Sequence, residues 1–434
     1  MIKSFADKSL EDFFSSGTKK GTKLEHAGKR LFACYISGMD LRRINRRDTP
    51  FLADLLASYP WTTFRNLPSN ELFPTIVTGV DPTEHGVWGV KLAPLRDRDK
   101  ADLFARLPDW LTTTAQGCLH FLTNACDLAA IPPRRRRRFE ITRTKYKRRS
   151  QKPEALFNIG GVQTILGIVG PDRSRYWFSS ASKPQKNLLP SLCVGSSALE
   201  LLELYSIDRY QQWHLDNPEN VRRFYGVIDD FLRQLADKCA VAGMSLMIFS
   251  DHGHQPIKAA IDIMALLRKV PVPARDYSYF IEVSSIRLWF HTAEARRMIT
   301  GYLSRLEHGS LVTYQEMARY NVPLKDAAYG EVFFFLDPGY IFFPHDFYQP
   351  VANAFLGLSD RMQVKRIRDP RHRGNHGHLP HFDAERSFVV LADKSFTVES
   401  GEADILDLAP SMLALLDREI PPYMKGRRLF KARA

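Results

Sequence analysis

The chain has 434 residues, 44% hydrophobic and 25% charged, which suits a soluble globular protein with room for two domains or one core with an insertion. Five scattered cysteines without paired spacing speak against both a disulfide framework and a cysteine-based metal site, and no apolar run reaches membrane-spanning length or forms a signal-peptide core, so a reducing, cytoplasmic setting is expected. The net charge is +13, and ten of those charges belong to residues 134–152, where eleven basic side chains face one acid, Glu140.

Taken in order, residues 1–29 are polar and irregular and read as an arm. Leu31–Ile36 reads as a buried strand and residues 50–59 as a helix. Pro132-Pro133 introduces the basic segment of residues 130–153. Like charges repel and resist packing, so it reads as a solvated loop that could also contact an anionic substrate or nucleic acid. Only Phe139 and Tyr146 interleave its basic residues, and no nucleic-acid module is recognisable. Residues 156–170 read as helix, turn and strand, with Gly160-Gly161 turning the chain and Ile165–Val169 as the strand. Residues 218–240 carry Val221, Phe224, Ile228, Phe231, Leu232 and Leu235 on one stripe of an amphipathic helix.

The apolar run Met244-Ser245-Leu246-Met247-Ile248-Phe249 follows as a buried strand and ends in Ser250-Asp251-His252-Gly253. A carboxylate and an imidazole thus emerge at the carboxyl end of a strand, where open α/β sheets place ligands. The pair suits a divalent metal; the alternative is a polar turn in which Asp251 caps the next segment. Residues 270–365 change texture, with strands at 286–290 and 331–336 around a helix at 293–306, and a last core strand falls at 388–391. The expected organisation is an α/β core of residues 30–269 and 366–434 with a small mixed cap, residues 270–365.

Four further segments stand in a fixed order around this motif. Phe73-Pro74-Thr75-Ile76-Val77-Thr78-Gly79-Val80-Asp81-Pro82-Thr83-Glu84-His85-Gly86, the first strand with its loop to Asp40, Asn375-His376-Gly377, and residues 404–429 together resemble the alkaline phosphatase superfamily. The closest likeness is to its type I phosphodiesterase/nucleotide pyrophosphatase branch. The resemblance implies a three-layer α/β/α sandwich around a mostly parallel sheet, and two divalent ions, zinc or manganese, that hold a phosphoryl group. It implies hydrolysis of phosphodiesters or nucleotides through a phosphorylated hydroxyl. The nucleophile position, nine residues before Thr78, falls on Ser69. Asp208, Asp251, His252 and His376 match metal ligands.

Two ligand positions depart from the family. Ser37 replaces an aspartate, with Asp40 three residues on as a substitute, and Gln212, able to coordinate only through its amide oxygen, stands where a histidine should follow Asp208, while His214 lies two positions further. Val90 stands where relatives place a phosphate-holding asparagine. Sulfatases are disfavoured because no cysteine opens a Cys-x-Pro-x-Arg signature. The alternative expectation is a degenerate family member whose altered metal site binds an anionic ligand or partner, or performs different chemistry.

Overall fold

The computed structural model describes residues 29–68, 71–88, 92–94, 108, 110, 111, 114, 139–141, 156–348, 350–359 and 361–433. The N-terminal arm, Ser69, Val90 and the basic segment lie outside them, except that Phe139–Ile141 pair antiparallel with Leu92–Pro94.

The strands that organise the molecule are β1 (Leu31–Ile36), β2 (Trp61–Arg65), β3 (Ser174–Ser179), β4 (Leu199–Leu204), β5 (Ser245–Ser250), β6 (Tyr277–Ile281), β7 (Ser285–Phe290), β8 (Gly309–Thr313), β9 (Val332–Leu336), β10 (Ser387–Leu391) and β11 (Ala403–Asp404). The large sheet has the order β11-β2-β10-β5-β1-β4-β3. Its pairs are parallel except those made by β10, which runs against both β2 and β5.

Alternation along β1 builds the layers. Leu31, Ala33 and Tyr35 face a core shared with α2 (Phe73–Thr78) and α7 (Leu408–Leu415), whereas Phe32, Cys34 and Ile36 face α1 (Pro50–Ser58) and α5 (Pro218–Ala242). Both faces of β1 are fully buried, as a parallel strand between helical layers requires. The result is the α/β/α sandwich expected. Helix α5 starts where the Asn217 side chain accepts from the N–H of Asn220 and ends at Gly243 in the left-handed region. A second sheet, β6-β7-β9-β8, packs Ile286, Leu288, Phe334 and Leu336 against Ile299 and Leu303 of α6 (Ala293–Leu303). Among the described residues no helix is long and apolar enough to cross a membrane.

One assignment is corrected. Ile165–Val169 is helix α3, not a strand, and the residues before it form a hairpin, Asn158–Ile159 with Val162–Gln163. The Thr164 side chain accepts from the N–H of Gly167 and starts the helix, and a short apolar run carries no periodicity that separates helix from strand. The sheet strand of this region is β3.

Candidate active site

Strands β1, β4 and β5 are parallel neighbours, so their carboxyl ends open on one side of the sheet. After β1 come Ser37 and Gly38. After β4, helix α4 (Ser206–His214) carries Asp208 in its first turn, where a carboxylate is favoured by the helix dipole. After β5 come Asp251, His252 and His254. His376 follows the short strand Gly374–Asn375, which pairs with Gln255–Pro256 just beyond β5. Asp208, Asp251, His252 and His376, far apart in sequence, line one cavity of about 310 Å³.

Asp208 Oδ1 lies 3.3 Å from His376 Nε2, 3.2 Å from His254 Nε2 and 4.0 Å from His252 Nε2. The His252 and His376 rings stack at 3.7 Å, 7° from parallel. His252 Nε2 is also 3.3 Å from Asp251 Oδ2. Asp208, His252 and His376 each offer one ligand atom within 4.8 Å of the other two. Ligands of one zinc ion, with bonds near 2.0–2.2 Å, stand roughly 3.3 Å apart in a tetrahedron and at most ~4.4 Å apart, so the two distances to Asp208 suit a shared ion.

Hydrogen bonds fix which atoms are available. His252 Nδ1 pairs with the carbonyl of Gly253 at 3.0 Å; a carbonyl only accepts, so Nδ1 carries a proton and Nε2 is the ring atom that faces the carboxylates. Gln211 Nε2 donates to the carbonyl of Gly38 at 2.6 Å, which orients its amide, and its N–H₂ also faces His254 Nδ1 at 3.3 Å. His254 therefore holds its proton on Nε2, facing Asp208, and stabilises that carboxylate rather than competing with it for a cation. Asp208 Oδ1 is buried among three imidazoles, with the Nε2–H of His254 its nearest neighbour.

The charges follow from this packing. Burial opposes the charge on Asp208, but His254, His376 and His252 outweigh it and hold the carboxyl well below its usual range. Burial also opposes protonation of His252, which Asp251 and Asp208 nonetheless raise above the ordinary histidine value. His376 is pushed well down by burial and then by His252, so it stays neutral and able to ligate. Glu385, raised to about 7 by burial, accepts from the N–H of His378 at 2.9 Å and so holds the loop that carries His376.

The substituted positions are corrected by this geometry. Ser37 Oγ donates to Asp251 Oδ2 at 3.3 Å, and Gln212 Nε2 donates to Asp208 Oδ2 at 2.8 Å. Gln212 thus turns its N–H₂, not its oxygen, to the centre, and an N–H₂ cannot ligate a cation. Asp40 does not swing in either. Its carboxylate accepts from the Arg42 backbone N–H, Nε and Nη2 at 3.0, 2.9 and 2.6 Å. His214 stacks on Tyr210, His372 sits edge-on to Trp213, and His378 Nδ1 donates to the carbonyl of Leu336 at 2.7 Å.

Sequence reasoning missed Tyr35, Gln211, His254 and Glu385. Only His254 left a signal, as the second histidine of Asp251-His252-Gly253-His254. The same cavity is also lined by His345, Phe347, Tyr348 and Arg366, the last stacked 4.2 Å from the Trp213 ring.

No curated protein matches the chain by sequence. In fold it is similar to human ectonucleotide pyrophosphatase/phosphodiesterase 5, with a TM-score of 0.55 at 14% identity over 92% of this chain and 97% of that one. It is also similar to an inactive form of the murine protein in complex with AMP, with a TM-score of 0.54 at 12% identity over 91% and 96% of the two chains. The model of the type I phosphodiesterase/nucleotide pyrophosphatase family matches residues 36–335, which span β1 to β9 and include Asp208, Asp251 and His252. A match over more than half of the chain, on the expected fold, places this protein in the type I phosphodiesterase/nucleotide pyrophosphatase branch of the alkaline phosphatase superfamily.

Proposed function

We propose that this phosphodiesterase/nucleotide pyrophosphatase-type hydrolase cleaves a phosphodiester or nucleotide with Ser69 as the attacking group and a divalent ion, zinc or manganese, held by Asp208, His252 and His376. The observation that carries the reading is the convergence of these ligands with Asp251 in one cavity at the carboxyl edge of the sheet. When bound, the ion would neutralise phosphoryl oxygens and lower the pKa of the attacking hydroxyl. His376 presents a neutral nitrogen toward the carboxylates, His252, whose proton Asp251 and Asp208 favour, would give it up to bind the ion, and Asp251 holds the loop after β1. Among the lining residues Arg366 is a cation for an anionic substrate, and Phe347 and Tyr348 are aromatic partners for a base or aryl group. The murine relative's complex with AMP supports the nucleotide class.

In the proposed reaction the Ser69 Oγ–phosphorus bond forms as the opposite ester bond breaks. The hydroxyl proton passes to solvent, and the departing oxygen leaves as the alcohol after taking a proton from water. Water then cleaves the Oγ–phosphorus bond, which releases the phosphate product and restores Ser69. Ser69→Ala should lower turnover of an aryl phosphodiester by at least ~100-fold while circular dichroism stays unchanged. Activity that survives the change would remove Ser69 from the mechanism.

Ser37 and Gln212 favour a second reading, a member of the family that binds its phosphate ligand without cleaving it, because both stand where the family resemblance implies metal ligands and instead donate hydrogen bonds to Asp251 and Asp208. Calorimetric binding of AMP by metal-loaded wild-type protein, with no release of product from AMP or aryl phosphodiesters, would establish that reading over hydrolysis.

A further inference from the structure

We propose that Gln211 and His254 are positioning residues of the metal centre, forming a hydrogen-bond relay of fixed direction that aims one N–H at Asp208 Oδ1 and holds this ligand in place before an ion arrives. The proposal rests on the metal-dependent reading above and deepens it, by naming residues outside the ligand set that tune its affinity.

Backbone groups set the direction of the relay. The Asp40 N–H donates to Tyr225 Oη at 3.0 Å, which leaves the hydroxyl to donate its own proton to Gln211 Oε1 at 3.1 Å. With Oε1 accepting, the amide nitrogen points the other way, to the carbonyl of Gly38 at 2.6 Å and to His254 Nδ1 at 3.3 Å. A carbonyl only accepts, so the hydroxyl on one side and the carbonyl on the other require the same orientation of the amide. Facing an N–H₂, His254 Nδ1 offers its lone pair, and the ring proton sits on Nε2, 3.2 Å from Asp208 Oδ1.

Tyr225, Gln211, His254 and Asp208 are each at most 1% exposed, so water does not replace a missing partner. The relay joins α5, α4 and the loops after β1 and β5 at the one carboxylate. His254 approaches Asp208 Oδ1, and Gln212 Nε2 donates to Oδ2 at 2.8 Å, so the carboxylate is gripped on both oxygens. A carboxylate oxygen has two lone-pair sites. One donor on Oδ1 therefore still leaves it able to share an ion with His376 Nε2, 3.3 Å away. Both grips are dipoles of neutral groups, which orient the ligand without the positive charge by which a lysine or arginine would repel the ion.

Three variants and two readouts test the relay. Full-length protein labelled with ¹⁵N in histidine is studied by long-range proton–nitrogen NMR, in chelator and after loading with Zn²⁺, and the His254 signals are identified by their absence from His254→Gln. Zinc affinity is measured by calorimetry in competition with a chelator. In the wild type His254 is expected to be protonated at Nε2 and bare at Nδ1 in both states. Gln211→Leu removes the donor, so the Nδ1 resonance should move toward that of a free ring nitrogen and zinc affinity should fall by ~10-fold or more. His254→Leu should lose as much, whereas His254→Gln, whose N–H₂ takes the place of the Nε2–H, should stay within ~3-fold of the wild type. Unchanged affinity in folded Gln211→Leu and His254→Leu, with only stability reduced, would overturn the inference, as would a wild-type His254 protonated at Nδ1. A zinc-bound His254 nitrogen, or folded His254→Gln that loses affinity by ~10-fold or more, would make His254 a ligand and overturn it as well. Each of these results leaves the metal-dependent reading standing. Folded wild-type protein that binds no zinc would overturn both.

Discussion

Tyr35 shows how a core residue becomes part of the site. Its ring stacks on Phe249 at 5.3 Å, 3° from parallel, as a last pair between β1 and β5, while its hydroxyl reaches beyond the strand to Asp251. Tyr35→Phe keeps the ring and removes only the donor. A hydrogen bond to a charged acceptor contributes about 1.5–3 kcal/mol, so the variant should lose stability in that range in urea unfolding at pH 7, with an unchanged m-value. A loss below ~0.5 kcal/mol would show that Ser37 and Gly38 satisfy Asp251 without help. This role was not legible in the sequence. Tyr35 reads as one more apolar position of a buried strand, and only the register Tyr35↔Phe249 sets its hydroxyl beside the residue that follows β5. Ser37 and Gln212 were legible as substitutions but not as donors, because which atom of an amide or hydroxyl faces a carboxylate depends on partners from other elements.

At the scale of elements, the loop after β1 passes so close to α4 that only glycine fits. Gly38 has φ +80, and a Cβ there would stand 2.9 Å from the Cα of Asp208 and 3.0 Å from Cε1 of His254. Both neighbours are held, Asp208 by its helix and His254 by burial, so the contact cannot relax without moving the ligand. Gly38→Ala should cost about 1–3 kcal/mol and shift α4 outward, and the loss of ligand alignment should weaken zinc affinity by ~10-fold or more. Calorimetry with Zn²⁺ alongside urea unfolding checks both; unchanged affinity with reduced stability would show that α4 holds Asp208 independently of the loop. Elements with a strong pattern were legible: β1 and β5 as continuous apolar runs, α5 from its stripe, Asp251 and His252 from their place at a strand end. Helix α3 was not, since Ile165–Val169 is too short for its period to show, and its fate is decided by Thr164 in front of it.

Across the whole molecule, the two sheets meet at the cavity, and the loop bearing His376 is fastened to the second one. Ser284 Oγ donates to the carbonyl of Gly377 at 2.8 Å, and His378 donates to that of Leu336, the last residue of β9. The region between the sheets therefore buries histidines that do not ligate, and these couple stability to pH. His345 is 8% exposed, and burial, reinforced by Arg366, pushes its pKa down to about 4. In the unfolded chain the same side chain titrates near ~6.5. Between those values the unfolded state binds a proton that the folded state refuses. The stabilisation is thus complete above pH ~6.5 and is lost progressively as pH falls toward 4, at about 1.4 kcal/mol per pH unit. Measured in chelator, so that metal release does not contribute, His345→Gln should lose about 2 kcal/mol less than the wild type between pH 6.5 and pH 5, because glutamine does not titrate. The comparison is between slopes, so a fixed cost of the substitution at pH 7 does not enter. Parallel stability curves for the two proteins over this range would show that His345 is hydrated in the folded state, and the region between the sheets would have to be open to water.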